Sequence, residues 1–317
     1  MTITGRGTGG PPLLILGVSR SGTTLLRVML DRNSQLAVPD ESFFVPLLAD
    51  RHLRRVDADD FIEDVRRLQT VREWGVPLDK LRARLSDRMA IGRAIAAIYE
   101  VYAEEQGKWR WGDKTPMYMR HLLMLRRLFP DSRYVHLIRD GRDAALSFLD
   151  MPKGVAFETW AHPRTVADFA AVWRTEVAAA RRLRGDRYLE VHYEDLVADA
   201  RRVLKRICSF AGLPYEAAMA EHARSGSEQK PHQQSLKRPL TPSLRDWRTE
   251  MRPEDVAAFE GVAGDLLEEL GYETHGRTDA RGRLRRASYR ARIGAWRAAT
   301  FAYRRSPVWR RRHPPLQ

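Results

Sequence analysis

The sequence predicts an α/β protein: a P-loop-type parallel sheet flanked by helices, with a helical insertion and a basic helical C-terminal tail. Three observations carry that expectation. Short apolar runs alternate with amphipathic helical stretches, the pattern of parallel strands joined by crossover helices. The first run, LLILG at 13–17, opens directly into a glycine-rich turn, GVSRSGTT at 17–24. The charge is also lopsided: of a formal net +14, +12 falls in residues 276–317, which hold thirteen arginines, no lysine and one acid, Asp279. The first 275 residues carry only +2, so they read as a near-neutral body with a basic appendage. A protein that binds nucleic acid through charge spreads its basicity over a folded face, so specific nucleic-acid recognition is not expected.

Taken in order, residues 1–11 are rich in Gly and Thr and read as a flexible N-terminus. LLILG reads as a buried parallel strand. Residues 22–32 place Leu25, Leu26, Met29 and Leu30 at helical spacing, and Asn33-Ser34 ends that run. Residues 43–107 are mostly helical and charge-rich, too long for a crossover, and are expected to form a helical insertion over the sheet edge. WRWGDKTP (109–116) reads as a short strand and turn with Pro116 starting a helix. RYVHLI (133–138) reads as a buried strand and DGRDAALSF (140–148) as the opening of a helix. RYLEVHY (187–193) is the next strand, and residues 194–212 form a helix closed by Gly212. Ligands of such sheets bind at the carboxyl ends of the strands, so the loops after residues 17, 112, 138 and 193 are where chemistry is expected. The acidic stretch DADDFIED at 57–64 reads as a solvated helix start.

Composition narrows the setting. The single cysteine, Cys208, excludes an intramolecular disulfide, suits a reducing compartment, and sits on an apolar helical face where it reads as buried and inert. No apolar run approaches the ~18 residues of a membrane span, and LLILGV is too short for a secretory signal, so the expectation is a cytoplasmic protein. No cluster of His, Cys, Asp or Glu has metal-ligand spacing, so no metal is expected.

The glycine turn departs from a Walker A loop, because Thr23 stands where the lysine belongs. The only cation is Arg20, in the middle of the turn. Backbone N–H groups and the helix N-terminus at Ser21, Gly22, Thr23 and Thr24 still form an anion cradle. Without the lysine a γ-phosphate is poorly served, and an apical arginine suits the terminal group of a shorter anion. A second anion site is expected where Arg139 ends the strand at 133–138 and Ser147 lies two turns into the next helix. An arginine fork and a hydroxyl at that spacing can hold a monoester phosphate.

GVSRSGTTLL and YVHLIRDGRDAALSF together resemble the PAPS-dependent sulfotransferases, in order and spacing, over nearly everything except the tail. The resemblance implies a sulfotransferase domain over 12–275, with 43–107 as its helical lid and 276–317 as the Arg-rich tail. It implies that the first loop holds the 5′-phosphosulfate of PAPS (product PAP), with Arg20 facing the sulfonate, and that Arg139 and Ser147 hold the 3′-phosphate. RSGTTLLRVMLDRNSQLAVPDESFF is similar to the tyrosylprotein branch, whose loop is followed by a glutamate base; the matching residue is Glu41, with Asp40-Glu41 standing in place of a Glu-Glu pair. WGDKTP is similar to the family segment that places Lys114 at the reacting centre beside Arg20. The cytosolic branch carries a histidine base two places after that lysine, where this chain has Pro116, which favours the glutamate. VHYEDL implies that Tyr193 contacts the 3′-phosphate, and SLKRPLTPSLRDW that Ser235 and Lys237 cover the nucleotide.

The implied reaction is in-line sulfuryl transfer from PAPS to a hydroxyl acceptor. A phenol or tyrosine, a sugar, or a small metabolite all fit, as small molecule or peptide. The rival expectation is a P-loop kinase or nucleotide hydrolase with an atypical loop. For the tail, residues 283–305 are helical by propensity with Tyr289, Ile293, Trp296 and Phe301 among arginines. Attachment to an anionic membrane surface, an acidic partner, packing on the body, and a homodimer contact all stay open.

Overall fold

The computed structural model describes residues 10–53, 55–151, 162–221, 245–276 and 278–316. Its centre is a five-stranded, all-parallel sheet in the order β2-β3-β1-β4-β5. β1 (Leu13–Leu16) is wholly buried between β3 (Arg110–Lys114) and β4 (Arg133–Ile138). β5 (Tyr188–His192) closes one edge, and a two-residue strand, β2 (Leu36–Ala37), closes the other. That last strand escaped the sequence reading, because two residues carry no periodicity.

Helix α1 (Thr23–Asp31) follows the glycine turn, and four short helices, α2 (Val45–His52), α3 (Ala58–Val65), α4 (Gln69–Glu73) and α5 (Leu78–Arg82), lead to the long α6 (Ile91–Glu105). These are the expected helical insertion. After β3 a 3₁₀ turn (Pro116–Arg120) and α7 (Leu122–Leu128) return the chain to β4. α8 (Gly141–Leu149) and α9 (Val166–Arg181) precede β5, and α10 (Tyr193–Ala198) and α11 (Ala200–Ala211) follow it. α12 (Trp247–Glu250), α13 (Pro253–Glu269), α14 (Ala280–Arg305) and α15 (Pro307–Arg312) complete the chain. The sheet divides the core: Leu14 and Leu16 face the cluster of the insertion, α9 and α13, while Leu13 and Ile15 face α1 and α11. Cys208 is buried in the second cluster, and burial pushes its thiol up to about 11. None of the described helices is long and apolar enough to cross a membrane.

Most of the basic tail lies against the body. α14 packs on α9, α13 and α2. Gly282 makes its crossing with α13 close, since a Cβ there would run into the carbonyl oxygen of Gly261. Tyr289 and Trp296 are buried, and the Tyr289 hydroxyl donates to Glu176 at 2.9 Å, the carboxylate that also receives Arg120 at 2.9 Å. Further along, Arg304 pairs with Asp50 at 3.0 Å and Arg310 with Asp64 at 2.9 Å. Asp64 corrects one expectation: the acidic stretch is not all solvated. Asp57 caps α3 as a solvated helix start would, but Asp64 is fully buried and gathers Arg51 at 2.6 Å as well as Arg310.

A second buried carboxylate organises the end of the sheet beside the glycine turn. Asp113, the penultimate residue of β3, is 4% exposed, and its Oδ2 accepts from Ser42 Oγ (2.6 Å), Tyr99 OH (2.8 Å) and Thr115 Oγ1 (3.3 Å). Ser42 Oγ also lies 2.7 Å from Tyr118 OH, which accepts the backbone N–H of Val45 at 3.0 Å, and Thr115 Oγ1 accepts the N–H of Ser42 at 3.0 Å. The network joins α6, the 3₁₀ turn and the 40–45 loop to the end of β3. Burial raises the Asp113 carboxyl to about 6 even though these hydroxyls and Lys114 pull it down.

Two outcomes follow for stability. Tyr289→Phe leaves Glu176 short of a buried donor and is expected to cost about 1–2 kcal/mol; a urea midpoint that does not fall, at unchanged slope, would show that the tail contributes nothing there. For Asp113, the folded carboxyl binds its proton more tightly than an unfolded one. The folded state therefore holds more protons between roughly pH 4 and 6, and this group's contribution to stability falls as pH rises through that window. Asp113→Asn should remove that fall, changing the wild-type-minus-variant unfolding free energy by of order 2 kcal/mol across it. A difference that stays constant with pH would refute the assignment.

Candidate active site

The site is built where β1 ends. The N–H of Ser21 closes the turn on the Val18 carbonyl at 3.1 Å, and Gly22 takes up a left-handed conformation (φ 87°) as the N-cap of α1. Only glycine fits there, because a Cβ would also strike the ring of Tyr193. No side chain caps the first turn of α1, so its N–H groups and the positive end of its dipole face the loop. Ser21 is buried and its hydroxyl has no hydrogen-bond partner among the described residues. Arg20 sits at the apex with φ 72°, a left-handed conformation that a residue with a Cβ adopts only when its surroundings hold it there.

What holds Arg20 is the other half of the site. Its Nε donates to Ser147 Oγ of α8 at 2.9 Å, and its carbonyl accepts from Arg139 Nη1 at 3.3 Å. Arg139, at the end of β4, is 6% exposed, lies 4.7 Å over the ring of Tyr193, and keeps a buried Nε without a partner. The two segments expected to bind anions are in direct contact: Arg20 reaches across to Ser147, and Arg139 donates to the Arg20 carbonyl. Burial, followed by the charges of Arg139 and Arg245, lowers the Arg20 guanidinium. Arg20 and Arg139 are adjacent cations, and neither forms an ion pair among the described residues. Tyr193 opens α10 at the end of β5 and forms the floor beneath both Gly22 and Arg139.

On the opposite side of the turn stands Lys114. It ends β3 in register with Ile15 and is completely buried. Its Nζ lies 2.5 Å from Glu41 Oε1 and donates to Thr24 Oγ1 at 3.2 Å. Burial lowers the Lys114 ammonium, opposed chiefly by Glu41. The Glu41 side chain keeps 25% of its surface exposed, so its carboxylate is open to solvent while anchored by the lysine. α1 holds the segment that delivers it: Arg27 pairs with Asp40 at 3.0 Å and donates to the Val38 carbonyl at 3.1 Å, while Asp31 receives the Val38 N–H at 2.8 Å.

Arg20, Ser21, Gly22, Thr23, Thr24, Glu41, Lys114, Arg139, Ser147 and Tyr193 thus gather around one turn. Ser235 and Lys237 lie outside the described residues. Asp40 is taken up by Arg27, and three histidines are packing groups: His121 is buried, His136 is bonded to Tyr188 OH at 2.6 Å, and His192 meets Tyr272 OH at 3.2 Å. Of the aromatic residues in the insertion, Phe44 and Trp74 pack together at 5.4 Å and against Tyr99. Trp109 is 55% exposed. Sequence reasoning missed the Asp113 network, and with it Ser42, Tyr99 and Tyr118. The available signal was an acid followed by a lysine inside a buried strand, where neither charge is tolerated without partners. Arg142, two residues after Asp140 in the same segment, is buried and held by Asp140 (2.8 Å) and Glu260 (2.7 Å).

The sequence profile of the sulfotransferase family matches residues 11–217. Protein-tyrosine sulfotransferase A of Caenorhabditis elegans is 24% identical over 83% of this chain and 67% of its own length. Nodulation protein NoeE of Sinorhizobium fredii is 30% identical over 82% of this chain, which spans 65% of that relative. Among solved structures, the sulfotransferase domain of the Synechococcus olefin synthase superposes with a TM-score of 0.58 at 26% identity, over 86% of this chain and 99% of that domain. The sulfotransferase domain from the curacin pathway does so with 0.57 at 23% identity, over 85% and 100%. The profile spans both halves of the anion cradle, the lysine–glutamate pair and the strands that carry them, and this chain belongs to the sulfotransferase family.

Proposed function

We propose that this chain moves a sulfuryl group from PAPS to a hydroxyl acceptor, with Glu41 as the base. The observation that carries the proposal is the bridge Glu41–Lys114–Thr24, which ties a partly exposed carboxylate to the hydroxyl that opens the anion-binding helix. Family membership supplies the reaction class.

The residues fit the donor. Among the described residues, the Ser21 hydroxyl and the Arg139 Nε are buried donors without a partner, and no side chain caps the start of α1. That is the state in which a buried polar group is costly until an anion arrives. Ser21 to Thr24 and Arg20 would hold the phosphosulfate end, and Arg139, Ser147 and Tyr193 the 3′-phosphate, with Ser235 and Lys237 assigned to the nucleotide by family resemblance alone. When bound, PAPS supplies a sulfuryl group activated by its anhydride bond to phosphate.

Glu41 then takes the proton of the acceptor hydroxyl, which is a weak nucleophile until a base within hydrogen-bond reach removes it. Lys114 orients that carboxylate and, with Arg20, supplies positive charge where negative charge grows on the leaving side. The acceptor is a hydroxyl compound of the phenol or tyrosine, sugar or small-metabolite class. One relative named above is a protein-tyrosine sulfotransferase.

Calorimetric titration with PAP tests the donor half. Wild type should bind without added metal, and Arg139→Ala should bind about 10- to 100-fold more weakly, the loss expected for a charged hydrogen-bonding group. Binding of ATP–magnesium with no response to PAP would return the loop to the kinases. The acceptor half is tested by Glu41→Gln, expected to lower kcat about 10²- to 10⁴-fold while PAP affinity holds. A variant that keeps wild-type turnover would remove Glu41 from the mechanism.

A further inference from the structure

A second concentration of positive charge lies away from the glycine turn, in a groove between α9 and α14. It encloses about 350 Å³ and is lined by Arg174, Thr175 and Arg182 on one wall and Arg283, Arg286 and Arg290 on the other, over a floor of Ala178 and Ala179. Five guanidiniums converge on a space large enough for a small-molecule ligand.

One carboxylate, Asp265, reaches these arginines, and it is saturated. Its Oδ1 receives Arg174 Nε at 3.1 Å and the Thr278 hydroxyl at 2.8 Å, and its Oδ2 receives Arg174 Nη2 at 2.9 Å and lies 3.5 Å from Arg286. The other acids nearby are committed elsewhere: Asp168 to Arg285 at 3.3 Å and Glu269 to Arg181 at 2.7 Å. Arg182, Arg283 and Arg290 form no ion pair among the described residues. Guanidinium groups only donate, so the groove offers a fan of charged donors. Tetrahedral oxyanions match the arginine fork two hydrogen bonds at a time.

We propose that this groove binds a polyvalent oxyanion, a phosphate or sulfate ester, through Arg182, Arg283 and Arg290. The ester is either a free solute or the headgroup of an anionic lipid; the chemistry of recognition is the same. The site is formed jointly by the body and the tail, so it gives α14 a role separate from the reaction at Glu41 and independent of the donor assigned there. Ligand binding would cross-link α14 to α9 and stabilise the packing of the tail.

The test uses the full chain, with inorganic pyrophosphate and with phosphatidylcholine vesicles that contain or lack phosphatidylglycerol. Calorimetry with pyrophosphate and co-sedimentation with vesicles are compared for wild type, Arg182→Ala/Arg290→Ala and Arg139→Ala. The two groove arginines are exposed, so their removal leaves the fold intact, checked by an unchanged urea midpoint without ligand. A pyrophosphate binding event weakened at least about tenfold in the groove variant, yet kept in Arg139→Ala, establishes a free-solute site. Sedimentation with phosphatidylglycerol vesicles alone, lost in the groove variant, establishes the lipid headgroup as the source. If neither probe binds, or if both bind the groove variant as well as wild type, the proposal is overturned.

Discussion

The Asp113 carboxylate is the constraint on which the rest of the site depends. A carboxylate at the buried end of a strand is expensive to place, and this one is tolerated because three hydroxyls converge on a single oxygen. Those hydroxyls come from the 40–45 loop, from α6 and from the turn after β3, so the charge that needs solvating also gathers three segments distant in sequence. Its neighbour Lys114 points the other way and takes Glu41 and Thr24. Two successive residues of one strand thus fix the separation between the candidate base and the anion-binding turn. Because strand residues alternate faces, the Asp-Lys order assigns one charge to scaffolding and the other to the site.

The same logic explains how a phosphate loop works without a lysine. In this turn the cation is carried by Arg20, which has a left-handed backbone and reaches Ser147 on α8. Arg139 then stabilises the strained apex by donating to the Arg20 carbonyl, while its guanidinium rests on Tyr193. Tyr193 in turn leaves room for nothing but glycine at position 22. Each residue is positioned by the next, and the ends of β1, β4 and β5 are held together around the turn, with Arg20 and Arg139 forming no ion pair among the described residues.

Much of this was legible in the sequence, for physical reasons that differ from element to element. β1 is uniformly apolar and β4 largely so, because both faces are covered, so short runs at 13–16 and 133–138 stood out, and the loops after them followed from strand polarity. The sequence offered Arg139 and Ser147 as a pair from the spacing of a strand end and the following helix, whereas in the fold Ser147 meets Arg20. The contact between Arg20 and Ser147 could not be read, since nothing in a linear sequence reveals a positive φ at a non-glycine residue. Asp113 was illegible for a related reason: its partners Ser42, Tyr99 and Tyr118 come from separate elements and are chemically ordinary until the fold assembles them. Asp64 misled because an acid among acids reads as solvated, and its cationic partner Arg310 lies in the tail.

The tail shows why net charge must be located twice, first along the chain and then on the surface. In sequence, residues 276–317 look like a uniform basic appendage. In the fold, their arginines separate by environment. Arg304 and Arg310 neutralise Asp50 and Asp64, buried acids of the insertion, and Tyr289 completes the coordination of Glu176. These contacts make the tail a strut that spans α2, α3 and α9. Arg182 of the body and Arg283 and Arg290 of the tail are left over from that packing, and they share one groove. Charge that served only solubility would be stable anywhere on the surface. Charge concentrated between two packed helices repels itself, and the fold accepts that repulsion where an anion can relieve it.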